Sequence, residues 1–306
     1  MTEGSRAFCQ SAGDTDVPTI GDVASVQRTN VPEELGPGRR RAHLAGMDTM
    51  PSLFLSHGSP MLAVQDSPAG RFLDGLGAQL RRPRAVVVAS AHFTAVPPHV
   101  GSAALPRTVH DFGGFPPALY ELRYPAAGLP ALAEDVRGRL ERAGFDARAA
   151  DQHGLDHGVW VPLLRMYPEA DIPVVPVSVD PRGDAATHVA LGRALADLRD
   201  DGVLVIGSGG FVHNLGDLDW RNPDAALAPW AGEFADWMRE RLRAHDVDAL
   251  VDWQARAPHA RRAHPTVEHL MPLFFALGAA GDSTTMRHLH QSHEFGSLAL
   301  DAFAFG

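Results

Sequence analysis

The sequence predicts an α/β layered fold, and three observations carry that expectation. From residue 51 onward short β-branched runs alternate with helix-period segments, no internal repeat is evident, and nothing within 51–306 reads as an interdomain linker. Residues 53–55 (LFL) read as the first strand, 84–89 (RAVVVA) as a buried one, 172–179 (IPVVPVSV) as a third and 203–206 (VLVI) as a fourth. Proline has no N–H to give a ladder, so the two prolines of the third run predict an edge position or irregular pairing. Helices are expected over 68–80, 130–143, 159–166, 187–200, 228–248 and 267–278. The last four carry Leu, Trp and Phe at spacings of three and four.

The segment 1–46 breaks this pattern. It holds six acids, five arginines, scattered Gly and Pro, and the run Gly36-Pro37-Gly38-Arg39-Arg40-Arg41, in which turn formers precede like charges that repel. A disordered N-terminal extension is expected there, with the catalytic domain over 47–306. It lacks the apolar core of a signal peptide, and its acids disfavour a transit peptide. Met47 and Met50 stand just before the first strand, where the functional chain is expected to begin.

Composition removes whole chemistries. The chain of 306 residues is 45% hydrophobic and 21% charged, as in a folded soluble protein, and no run approaches the ~18 apolar residues of a membrane span. All 27 basic residues are Arg, so Schiff-base and P-loop lysines are excluded. The single cysteine, Cys9, rules out disulfides, thiolate zinc sites and iron–sulfur clusters. A net charge of −10 argues against nucleic acid and anionic membranes, since phosphate binding needs a cationic face. A cytoplasmic enzyme acting on a small molecule is the expectation.

The 16 histidines stand out, because imidazole is both a common metal ligand and a group that moves protons near neutral pH. His57, His92 and His213 each follow a predicted strand. In an open α/β sheet the ligand crevice lies outside the carboxyl ends of the strands, so three such side chains can converge on a metal. Any one of them alone would more often cap a strand or pack under a loop. Gly58, before Pro60, and the run Gly207-Ser208-Gly209-Gly210 give backbone clearance, and the latter is no dinucleotide fingerprint. Asn214 either holds His213 or caps a helix.

Three further clusters remain open from the residues alone. In His264-Pro265-Thr266-Val267-Glu268-His269, Thr266 is a helix N-cap candidate and at most one of the two histidines is a ligand. Glu268 there can simply favour a helix N-terminus. Asp156-His157 opens the helix over 159–166, as a proton shuttle or as a cap beside an exposed ring. His153 in the same loop has no clear role. The loop 110–116 (HDFGGFP) suits a substrate wall or lid, or is ordinary packing. His288, His290 and His293 read as alternating positions on a solvated strand before they read as a second metal cluster.

Taken together, FLSHGSP at 54–60, VVVASAHF at 86–93, HDFGGFP at 110–116, DHGVW at 156–160, VHNL at 212–215 and PTVEHLMPL at 265–273 resemble the class III extradiol ring-cleavage dioxygenases of the LigB type. The resemblance is specifically to the 4,5-DOPA extradiol dioxygenase subgroup and runs from about residue 50 to the C-terminus. It implies a single three-layer α/β/α domain around a mixed, largely parallel sheet, with the metal at the strand C-terminal ends. His57, His92 and His269 then take the ligand positions. His213 is a further metal-proximal histidine, ligand or base, and His157 exchanges protons with substrate. Many relatives use two histidines and a glutamate, whereas this motif puts His269 in the glutamate place and leaves Glu268 as an alternative ligand.

The implied reaction inserts O2 into a catechol-type, DOPA-like substrate beside its diol and gives a muconic semialdehyde type product, with Fe(II) as cofactor. Zn(II) is the alternative ion, and would bind catechol without redox chemistry. The implied partners are a small aromatic diol and O2, acting on a monomer or weak homo-oligomer. Two rival readings remain: a zinc hydrolase using metal-bound water, and a non-enzymatic binding protein on the same scaffold.

Overall fold

The computed structural model describes residues 49–306, so the expectation for the extension over 1–46 falls outside the described residues. The strands are β1 Ser52–Ser56, β2 Ala85–Thr94, β3 His99–Gly101, β4 Arg148–Ala150, β5 Val174–Val179, β6 Val203–Gly209, β7 Met286–His290, β8 His293–Glu294, β9 Leu298–Ala299 and β10 Ala302–Phe305. Eight of them form one sheet in the order β4-β3-β5-β2-β6-β1-β10-β7, and β8 and β9 pair separately. The centre, β5-β2-β6-β1, is parallel. β10 runs antiparallel to both β1 and β7.

Alternation along the strands builds the two cores. On one face Phe54, Val87, Val205 and Phe303 pack with the helices Pro130–Arg142, Ala185–Arg193, Pro229–Arg243 and Met271–Ala279. On the other, Leu53, Leu55, Val86, Val88, Leu204 and Ile206 pack with Pro68–Leu76 and His157–Met166. The result is the expected three-layer α/β/α arrangement. Each fully buried Val, Leu, Ile or Phe contributes roughly 1.5–3 kcal/mol, so this double burial is what holds the parallel strands together.

The edge position expected for the third strand is wrong, while the irregular pairing is found. β5 lies inside the sheet between β3 and β2. Its only partner pair with β3 is Val100↔Val177, and its register with β2 shifts between Ser90 and Thr94. Pro176 is tolerated because Gly101 leaves room for its ring: a Cβ there would lie 2.5 Å from Pro176 Cγ.

Helix ends also differ from expectation. The segment 228–248 is two helices, Pro229–Arg243 and Val247–Val251, separated at His245, which has φ 52°. The segment 187–200 is the helix Ala185–Arg193 followed by the 3-10 turn Ala196–Arg199. The last expected helix starts at Met271, not near 267. Thr266 does not cap it, because its hydroxyl donates to Glu268 Oε1, and Pro272 instead sits in the first turn. Among the described residues no helix is long and apolar enough to cross a membrane.

Candidate metal centre

Three chain segments deliver imidazoles to one rim of the sheet. His57 immediately follows β1. His92 lies inside β2, which runs on to Thr94, but beyond Ser90, the last residue paired with β6. His269 sits in the turn before the helix Met271–Ala279, and its carbonyl accepts the Gly210 N–H at 2.8 Å. His92 Nε2 stands 3.1 Å from His57 Nε2 and 3.3 Å from His269 Nε2. With metal–nitrogen bonds of about 2.1 Å, ligand nitrogens are about 3.0 Å apart at 90° and about 3.4 Å at the tetrahedral angle. Both separations from His92 therefore match a shared ion, and the ligand atoms of all three rings lie within 4.8 Å of one another.

The opposite ring nitrogens explain why these Nε2 atoms are free to converge. Ser208 Oγ donates to the Gly158 carbonyl, so at 3.0 Å from His57 Nδ1 it is left to accept from that ring. Glu268 Oε1 accepts from His269 Nδ1 at 3.1 Å. Asp111 Oδ2 lies 3.2 Å from His92 Nδ1. Each ring can thus hold its hydrogen on Nδ1 and turn a lone pair inward, the tautomer that metal binding requires. Three inward lone pairs repel unless a cation sits between them. Glu268, standing behind His269, is a backing group and not one of the converging donors.

Electrostatics keeps the rings neutral. Burial, and then the neighbouring His92, push His57 well below the usual imidazole range. Burial and then His213 do the same to His269. Burial holds His92 at about 4, against the opposing pull of Asp156, Asp111 and Glu268. Neutral imidazole is the form that binds metal.

Beside this triad stands His157, in the first turn of the helix His157–Met166, with its ring centroid 3.9 Å from that of His92. Its backbone N–H donates to Asp111 Oδ1 at 2.9 Å. Phe112 meets the His157 ring edge-on at 5.7 Å, and itself packs against Phe115, Tyr120 and Trp160. The 110–116 loop therefore forms one aromatic wall beside the histidines. Asp156 does not cap the helix it precedes, because its carboxylate accepts from Ser90 Oγ at 2.6 Å and faces His153 Nε2 at 3.2 Å.

Against this geometry, the family model for the catalytic LigB subunit of aromatic ring-opening dioxygenase matches residues 51–300. The chain belongs to the LigB family. It is similar to the 4,5-DOPA dioxygenase extradiol of Beta vulgaris, at 39% identity covering 83% of this chain and 96% of that protein. The Escherichia coli K12 protein of the same name is 39% identical, with 84% and 95% covered. A crystal structure of an uncharacterized Escherichia coli K12 protein superposes with a TM-score of 0.71 at 35% identity, covering 84% of this chain and all of that one. This LigB-family protein is a class III extradiol ring-opening dioxygenase.

The remaining histidines of the LigB domain sort by their surroundings. His213 lies against His269, ring centroids 3.5 Å apart and planes 6° apart, and burial holds it at about 4. His264 is structural: it bonds the Phe211 carbonyl at 3.1 Å and packs on Phe234 and Trp253. His153 stacks on Phe93. Asn214 caps the turn Leu215–Asp217 and donates to the Arg262 carbonyl, which leaves it no hold on His213. His288 faces Asp301 and His290 faces Ser292, and neither belongs to a metal-ligand group among the described residues. Asp111 lies within HDFGGFP and Ser208 within the run 207–210, but nothing in their spacing assigns either a part in orienting a histidine.

Proposed function

We propose that this chain is a metal-dependent extradiol dioxygenase that holds Fe(II) through His57, His92 and His269 and opens a catechol-type, DOPA-like ring to a muconic semialdehyde type product. The observation that carries it is the convergence of three Nε2 atoms at 3.1 and 3.3 Å, each ring backed on its Nδ1 side. The names of its relatives support DOPA or a similar catechol as substrate. A bound ferrous ion would supply the electron exchange that triplet O2 needs to react with a singlet catecholate. A cytoplasmic location and a monomer or weak homo-oligomer belong to the same proposal.

The chain's own residues would do the rest. Phe112, backed by the fully buried Trp160, would give the flat ring an apolar wall and keep water from one side of it. His157 is buried beside His92 and would take a proton from the substrate hydroxyl and return it during ring opening. His213, stacked on His269, would supply a second proton contact. The imidazole donor set would also hold zinc, which would bind a catechol without the redox change that ring opening needs.

The test is anaerobic loading with Fe(II), followed by a panel of catechols with O2 consumption and the yellow ring-opened chromophore as readouts. O2 uptake matched to chromophore supports the proposal. Silence across the panel, with the metal retained, overturns the assignment of Fe(II) and a catechol-type, DOPA-like substrate.

A further inference from the structure

Asp111 is placed between two histidines that the reading above gives different tasks. Its Oδ1 accepts the backbone N–H of His157 at 2.9 Å. Its Oδ2 lies 3.2 Å from His92 Nδ1 and 3.0 Å from His157 Nδ1. His157 Nδ1 is fully buried and has no other acceptor, and the approach of Oδ2 is off the line of its N–H. Such contacts commonly straighten only when substrate is bound. The Asp111 side chain is 23% exposed, at the rim of the site.

A carboxylate only accepts, and a neutral imidazole has one N–H. A ring whose Nδ1 faces Asp111 must therefore carry its hydrogen there and present a bare Nε2. For His92 that bare Nε2 is the one converging with His57 and His269. For His157 it is the atom able to take a proton from substrate.

We infer that Asp111 is a positioning residue that fixes the tautomers of His92 and His157 together, so that metal capture and proton transfer are set by one carboxylate. This rests on the reading of His157 as the proton-transfer group. The competing role is that of a cap, in which Asp111 merely satisfies the first N–H of the helix His157–Met166. The variant Asp111→Asn separates the two. Its carbonyl can keep the cap, but its NH2 then faces both Nδ1 atoms, which must give up their hydrogens to accept from it. His157 then reverses its tautomer, and His92 either does the same or keeps its Nδ1 hydrogen at the cost of an unpaired contact, which weakens metal binding.

The experiment uses the full chain with 15N-labelled histidine, loaded with diamagnetic Zn(II), and reads long-range proton–nitrogen correlations of the His157 ring. The expected result is hydrogen on Nδ1 in the wild type and on Nε2 in Asp111→Asn. Zinc affinity and the kcat of the Fe(II)-loaded form should each fall about 10–100-fold, the usual range for groups that orient a metal-ligating histidine, with KM little changed. Hydrogen on Nε2 of wild-type His157, or an unchanged tautomer in a folded variant, overturns the inference. Should Asp111→Asn fail to fold, the wild-type spectrum alone decides. If instead His157→Ala leaves turnover unchanged, the proton-transfer reading fails while the tautomer result stands.

Discussion

His213 lies flat against His269, with ring centroids 3.5 Å apart and planes 6° apart. An ion bound through a ring nitrogen sits in the plane of that ring. The lone pairs of these two parallel rings therefore run in separate planes and do not meet at one point, so where His269 Nε2 would hold an ion, the geometry favours the base over the ligand for His213. The expected outcome is that His213→Ala retains metal after dialysis while turnover drops on the order of 10²-fold or more, the usual weight of a proton-transfer group. His269→Ala should lose the metal itself. Metal analysis beside O2 uptake reads both, and equal metal loss in the two variants would return His213 to the ligand set.

The same two readouts separate the other three histidines. His57→Ala and His92→Ala each remove one of the converging nitrogens, so metal retention and ring opening should vanish together. His157→Ala removes a ring outside the His57, His92 and His269 group, although it forms a second close group with His92 and Asp111, so metal should stay and kcat should fall. Unchanged turnover in His157→Ala would refute its assignment.

How far the sequence reached is clearest in these residues. The alternation of β-branched and helical segments made the layered fold legible, because burial on both faces forces continuous apolar strands such as 85–89. The strand-end positions of His57 and His92 were legible for the same reason. Between His264 and His269 the sequence could not choose: a one-dimensional spacing does not say which ring turns inward, and the structure buries His264 against Phe234 and Trp253. Asp111 was invisible because its partners are 19 positions away or more, at His92 and His157. β7 was legible as the strand carrying His288 and His290, but the antiparallel β10 was missed. Ala302–Phe305 is short and alternates only Ala with Phe, too brief a run to show a period.

Gly209 is where fold and site meet. A Cβ there would lie 2.1 Å from the His269 carbonyl oxygen, which accepts the neighbouring Gly210 N–H. The absence of a side chain lets the turn carrying His269 rest directly on the end of β6. Gly209→Ala must push that turn outward, costing on the order of 2 kcal/mol of stability and moving His269 Nε2 away from its partners. Chemical denaturation should show the stability loss, and metal titration should show affinity weakened at least tenfold. A Gly209→Ala protein with wild-type metal affinity would mean that this contact does not set the position of His269.

Acid should destabilise the metal-free protein through His264. Its Nε2 donates to the Phe211 carbonyl, its Nδ1 is buried with no partner, and burial lowers its pKa from 6.5 to about 3. The folded state thus prefers the neutral ring more strongly than the unfolded state does. The stability linked to that preference is complete above about pH 6.5 and is lost as pH falls toward 3, at up to about 1.4 kcal/mol per pH unit for one proton. Other buried rings, including His188, act with the same sign. In His264→Gln the amide can still donate to Phe211, so the fold should survive while the slope of stability against pH between 6 and 4 decreases by about one proton. Urea unfolding of both proteins in the presence of a chelator measures this, and parallel slopes would show that His264 is already protonated in the fold.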